Sequence, residues 1–193
     1  MAVYTKINQK EINIINKNFN INKVISFKGI KQGIENTNYL LKSKKKKYIL
    51  TIFEKRVLQK EIPFFMKLMD NLNNSKINCP KPLKTRNNKY LIKLKNKTAC
   101  IVSFLEGKDK KMLNLNDCYK IGKTIAQMHV VTNTMKLNRK NSMGIKNLKP
   151  LLESIKFKSK KFSNLKVFLN KNLKDINKTW PKQLPKGCLL YTS

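Results

Sequence analysis

Between residues 28 and 54 the chain places small and amide-bearing residues where a backbone could close over an anion. Lys28-Gly29-Ile30-Lys31-Gln32-Gly33 is followed by Ile34-Glu35-Asn36-Thr37-Asn38, and Thr51 comes later in an apolar run. Glycines at 29 and 33 allow the backbone to turn tightly. A turn of this kind, carried between two strands, can present a row of N–H groups to a phosphate. The string is not G-x-G-x-x-G, and taken alone it describes an ordinary hairpin turn, which ranks first on the residues themselves.

The surrounding elements must position that turn. Asn8 to Asn18 carries Ile12 and Ile15 at helical spacing, and Val24 to Phe27 reads as a short strand. Asn36–Leu41 and Tyr48–Phe53 predict an antiparallel hairpin whose solvated tip is Lys44 to Lys47. Leu58 to Leu72 has Leu58, Ile62, Phe65, Met69 and Leu72 at helical steps, with Pro63 placing the helix start near Ile62 or disturbing its first turn. Asn78-Cys79-Pro80-Lys81-Pro82 is extended, because residues before proline avoid the helical region. Tyr90–Leu94 and Thr98–Phe104 predict a second hairpin through Lys95-Asn96-Lys97. Helices are then expected over Asp117–Thr132, Leu148–Phe157 and Ser163–Ile176. Strands with one helix, a short connector and then helices alone make an α+β, two-lobed architecture.

Composition narrows the classes. The 193 residues are 40% hydrophobic, enough for a packed core and too apolar for a disordered chain. No apolar stretch reaches the roughly 18 residues of a membrane span, and Met1–Asn13 has no apolar signal region, so a cytoplasmic location is expected. Cys79, Cys100, Cys118 and Cys188 form no C-x-x-C pair and the only histidine is His129, which disfavours structural zinc and favours reduced, mostly buried thiols. The net charge of +33 is almost all lysine, spread over every segment, with arginine only at 56, 86 and 139. A nucleic-acid reader is expected to use arginine forks. The lysine, asparagine and isoleucine excess fits A/T-rich coding better, so no specific nucleic-acid partner is expected.

The chain resembles a family through several blocks in order. These are Met1–Thr5 (MAVYT), Lys28–Leu41 (KGIKQGIENTNYLL), Tyr48–Glu54 (YILTIFE), Glu61–Leu72 (EIPFFMKLMDNL), Cys79–Leu83 (CPKPL), Ile101–Lys108 (IVSFLEGK) and Ile121–His129 (IGKTIAQMH). They look like homoserine kinase of the aminoglycoside/choline phosphotransferase type, with a protein-kinase-like fold, over about residues 1 to 187. The resemblance implies transfer of the γ-phosphate of ATP to the hydroxyl of L-homoserine in threonine biosynthesis, with Mg²⁺. It assigns Gly29, Gly33, Ile34, Glu35, Asn36, Thr37 and Asn38 to the phosphate cover, and main-chain groups around Ser103, Phe104 and Leu105 to the adenine. It implies a nucleotide-binding lobe over 1–102, a hinge over 103–109 and the start of a helical lobe over 110–187.

Departures from the pattern are equally specific. Protein kinases place a lysine on the third strand after a V-A-I-like triplet; here Tyr48-Ile49-Leu50 is followed by Thr51, which can hydrogen-bond but carries no charge. Lys42 and Lys55 are both candidates to replace it. Glu61 is either the helix carboxylate that orients this region or a first-turn acid favoured by the helix dipole. His129, on an apolar helix face, reads as a satisfied core histidine in preference to a catalytic base. Family members continue after Leu184-Pro185-Lys186-Gly187 with a His-Gly-Asp loop and metal-holding residues, whereas this chain reads Cys188-Leu189-Leu190-Tyr191-Thr192-Ser193. That tail can be back-translated to a string that resembles a transposon adapter used in sequencing libraries, so it is expected to be non-native, the alternative being a natural, divergent tail. The chain is accordingly expected to be an inactive fragment, without catalytic or metal residues of its own, and to expose an apolar Ile121/Ile125/Met128 face. Two other readings compete: a kinase of another small alcohol, such as choline or an aminoglycoside, and a basic nucleic-acid-binding module.

Overall fold

The computed structural model describes residues 3–33, 35–54, 58–135, 139, 144–155 and 160–180, with backbone alone at 160–163. These fall into two compact units that divide after residue 137.

In the first unit, α1 (Gln9–Asn18) is followed by β1 (Val24–Gly29), β2 (Thr37–Ser43) and β3 (Lys47–Ile52). A short 3-10 turn (Gln59–Glu61) leads into α2 (Ile62–Asn74), then come β4 (Leu91–Leu94), β5 (Lys97–Ser103) and α3 (Leu115–Asn133). The five strands form one antiparallel sheet in the order β1-β2-β3-β5-β4. Sequence alternation sets what each face carries. Tyr39, Leu41, Tyr48, Leu50, Ile52, Ala99 and Ile101 point to one face and pack with Ile12, Ile15 and Phe19 at α1. Ile49, Phe53, Cys100 and Val102 point to the other and pack with Ile62 and Met66 of α2.

Local chemistry explains the boundaries. Asn8 caps α1 in a capping box with Glu11, satisfying two orphan N–H groups of the first turn. Pro63 sits in the first turn of α2, where a missing N–H costs nothing, so the helix begins at Ile62 and not at Leu58. The β2–β3 tip is held by Ser43, whose Oγ accepts from the N–H of Lys46 at 3.0 Å. Lys95 and Asn96 both have positive φ (48° and 62°), as a two-residue hairpin turn between twisted strands requires. That turn sets Leu94 opposite Lys97 and so decides where the Lys97 side chain stands.

Leu68 and Leu72 of α2 with Ile77 form a further cluster, against which Met128 and Val131 of α3 and Met135 pack. The expected exposed face on α3 is therefore divided. Met128 is half-buried in that cluster, while Ile121 (47% exposed) and Ile125 (40%) face outward. The second unit contains α4 (Ile145–Ser154), with Pro150 inside it, and α5 (Lys160–Thr179); Leu152 is its buried residue among those described. No helix among the described residues is long and apolar enough to cross a membrane.

Candidate functional site

The turn between β1 and β2 is built from its base upward. The N–H of Ile30 donates to the carbonyl of Asn38 at 2.9 Å, closing the loop over residues 31–37. Gly33 lies at φ +112°, a backbone conformation that favours glycine, and a Cβ there would stand 3.6 Å from Nδ2 of Asn38. Among the described residues, the N–H groups of Lys31, Gln32 and Gly33 have no hydrogen-bond acceptor. Such a row of free donors on an exposed turn is what an anion's oxygens can accept from.

Three side chains at the turn's C-terminal base are tied down by two residues of β3 and its end. Thr51 Oγ1 donates to Asn38 Oδ1 at 2.8 Å, and the two residues are direct cross-strand partners. With its oxygen engaged there, the Asn38 amide directs Nδ2 toward Gly33. The N–H of Glu54 donates to Asn36 Oδ1 at 3.3 Å, and Thr37 Oγ1 donates to Glu54 Oε1 at 2.8 Å. The Asn36-Thr37-Asn38 and Thr51…Glu54 blocks are thus two halves of one network. Asn38 and Thr51 lie on the α2 face of the sheet, while Thr37 and Glu54 serve the α1 face.

Gly29 has a different reason to be glycine. A Cβ there would meet Val3 Cγ2 at 2.9 Å, so this glycine admits the chain's N-terminal arm and does not itself line the turn. Glu35 is half-buried beside the turn, and Ile34 and Lys55 lie outside the described residues. Lys42 is exposed, on β2 opposite Lys47. Glu61 ends the 3-10 turn and stands at the N-cap of α2 without a side-chain cap bond.

The sequence did not reveal Lys97 or Thr5. Lys97 pairs with Glu54 Oε2, and burial alone would raise the Glu54 carboxyl. Hydrogen bonds from Lys97, Thr5 and Thr37 and the charge of Lys97 more than offset that and hold it below the ordinary range. Because Lys97 projects on the α1 face, it does not replace the third-strand lysine on the face of Thr51. The only advance signal was the Lys95-Asn96 turn, which sets its register.

At the connector, Ser103 N–H donates to Lys81 O at 2.8 Å and Phe104 N–H to Lys47 O at 3.3 Å. Of the three positions whose main-chain groups were expected at the adenine, Ser103 and Phe104 therefore have their N–H groups engaged within the protein. Leu105 N–H has no acceptor among the described residues. Lys47 fixes this stretch further, with Nζ 2.7 Å from Glu106 Oε1 and 5.2 Å from the Phe104 ring.

His129 departs from expectation: its Nε2 is buried with no hydrogen-bond partner among the described residues, so it is not a satisfied core histidine there. Among the thiols, Cys100 is buried and Cys79 half-buried, but Cys118 is exposed on α3, against the expectation of mostly buried cysteines; Cys188 lies outside the described residues. So does the whole tail 188–193.

A model of the phosphotransferase enzyme family matches residues 26–190. The chain belongs to that family. Its curated relatives include proteins named homoserine kinase. That of Paramagnetospirillum magneticum is 37% identical over 98% of this chain and 58% of its own length, and that of Parvibaculum lavamentivorans is 35% identical over 98% and 59%. The chain thus spans a little under three fifths of these relatives. Among solved structures, the AMP-bound spectinomycin phosphotransferase superposes with a TM-score of 0.60 at 19% identity, covering 94% of this chain and 61% of that one. A microcompartment-associated aminopropanol kinase gives 0.57 at 13% identity, over 75% and 48%. The fold of this family member is therefore the protein-kinase-like one, with its antiparallel sheet and following helices.

Proposed function

We propose that this chain is the nucleotide-binding portion of an ATP-dependent kinase whose acceptor is the hydroxyl of L-homoserine. The observation that carries the proposal is the turn over 30–38. The N–H groups of Lys31, Gln32 and Gly33 have no acceptor among the described residues and the Asn38 amide lies beside Gly33, while Thr51 and Glu54 clamp the turn's base. Bound ATP would supply the phosphoryl group to be transferred. This chain's residues would bind and orient it: Lys31 to Gly33 and Asn38 over the phosphates, and Leu105 N–H at the adenine edge. Positioning and charge neutralisation dominate phosphoryl transfer, so a rigid turn is a direct contribution. Among the described residues there is no group of three or more His, Cys, Asp or Glu placed to hold a metal, and no Mg²⁺ ligand is assigned to them. In this reading residues 1–102 form the nucleotide lobe, 103–109 the connector and 110–187 the start of the acceptor lobe.

The choice of acceptor rests on curated relatives named homoserine kinase. The spectinomycin and aminopropanol enzymes share the fold at much lower identity. Two measurements test the proposal. Calorimetric titration of the chain with ATP should show saturable binding. The enzyme from the complete reading frame should phosphorylate L-homoserine in preference to choline or an aminoglycoside. Absence of ATP binding would remove the nucleotide reading, and preference for another alcohol would remove the acceptor.

A further inference from the structure

Residues 3–7 form an arm outside the regular elements, bent at Thr5, with Val3 and Ile7 against the α1-face core of the sheet. Its polar groups converge on the structure beneath the turn. The N–H groups of Tyr4 and Thr5 both donate to Thr37 Oγ1, at 3.0 and 3.1 Å. Thr5 Oγ1 donates to Glu54 Oε1 at 2.6 Å and accepts from Lys97 Nζ at 2.7 Å. Tyr39 closes the arm from its other side, donating its phenol to Thr5 O at 3.0 Å and accepting from Ile7 N–H at 3.2 Å. Val3 completes the arm against Gly29, in space that a Cβ there would invade.

Packing alone would need only Val3 and Ile7. The arm instead uses its backbone donors and its hydroxyl on Thr37 and Glu54, the two residues that hold the turn's base. Glu54 is the junction: its N–H holds Asn36, one carboxylate oxygen takes Thr5 and Thr37, and the other takes Lys97. Its side chain is only 11% exposed, so a partner lost there is poorly replaced by water.

We infer that residues 3–7 are a positioning strap for the phosphate-facing turn, acting through Thr5, Glu54 and Lys97 to hold Asn36–Asn38 in the geometry that receives a triphosphate. The inference deepens the nucleotide reading above and rests on it for the ligand.

The test uses the 193-residue chain and the variants Thr5→Val, Thr5→Ser and Lys97→Met. Amide hydrogen exchange is read at Ile30 and Glu54, whose N–H groups close the turn's base, and at Ile49–Ile52 and Ala99–Val102 in the central ladder. Thr5→Val should speed exchange at Ile30 and Glu54 about tenfold, the equivalent of one hydrogen bond. It should leave the ladder protected and weaken ATP binding severalfold, and Thr5→Ser should restore both. Lys97→Met should act in the same direction, which covers the case in which Thr5→Val does not fold. Unchanged exchange at the turn overturns the strap. So does equal loss of protection in the ladder, because that is general destabilisation. Faster exchange with unaltered ATP affinity overturns the link to the triphosphate. If the unmodified chain does not bind ATP, the nucleotide reading falls while the exchange result still decides whether the strap holds the turn.

Discussion

Thr51 stands where a protein kinase would carry a lysine, and its hydroxyl holds the amide of Asn38 at 2.8 Å. Thr51→Val keeps the β-branched shape and removes only that donor. Both residues are half-buried, so Asn38 can partly rehydrate and the loss is about 1 kcal/mol, the middle of the range for one neutral hydrogen bond. Freed, the amide no longer keeps Nδ2 beside Gly33, and ATP affinity should fall about fivefold if that energy appears in binding. Asn38→Ala should weaken binding at least as much. The deciding measurement is the double-mutant cycle by calorimetry. If Thr51 acts only through Asn38, the double variant binds no worse than Asn38→Ala, and the coupling energy is about 1 kcal/mol. Thermal unfolding serves as the control, with a shift of only a few degrees for each single variant. Independent, multiplying losses of affinity would refute the argument, and so would wild-type affinity in Thr51→Val.

Three further predictions follow from titrating groups and thiols. The Glu54 carboxyl is held below its ordinary value of 4.5, so its contribution to stability is complete above that pH and is lost as pH falls through the lower folded value. Glu54→Gln should therefore flatten the acid limb of a urea-midpoint curve, and an identical acid limb would contradict the network. Tyr90 donates to Asp70 Oδ2 at 2.6 Å, tying β4's approach to α2, and burial, then that bond and the Asp70 charge, push its phenol to about 12. That contribution is present below about pH 10 and lost as pH rises toward 12. Ultraviolet titration should show a late phenol that moves to lower pH in Asp70→Asn; a titration unaltered by that substitution would dismiss the contact. Burial likewise pushes the Cys100 thiol to about 12, so in the native chain a disulfide reagent should modify exposed Cys118 and leave Cys100 untouched until unfolding. Rapid native labelling of Cys100 would show the α2 face of the sheet to be open.

The order of elements could be read from the residues because it depends on local rules. Alternation marked β2, β3 and β5, and the 3.6-residue period marked α1, α2 and α3. Boundaries moved by a few residues where a cap or turn acted: Pro63 placed the α2 start at Ile62, and Asn114 with Asp117 began α3 at Leu115, ahead of the Asp117 expected. The turn itself was legible from Gly33 and the amide-rich run after it. That Thr51 would hydrogen-bond was also legible, although its partner was not.

What the residues could not disclose is pairing over distance. Thr5 meets Glu54 across 49 positions and Lys97 meets it across 43, and no spacing rule links them. The sheet order brings β5 beside β3, and the alternation of side chains puts Lys97, Thr37 and Glu54 on one face and Thr51 and Asn38 on the other. Periodicity shows that a side chain has a face. Which element covers that face, and whether a buried nitrogen such as Nε2 of His129 finds a partner, depends on how the strands and helices pack. The chain therefore carries its turn chemistry in local sequence, and tertiary packing alone decides which residues hold that turn in place.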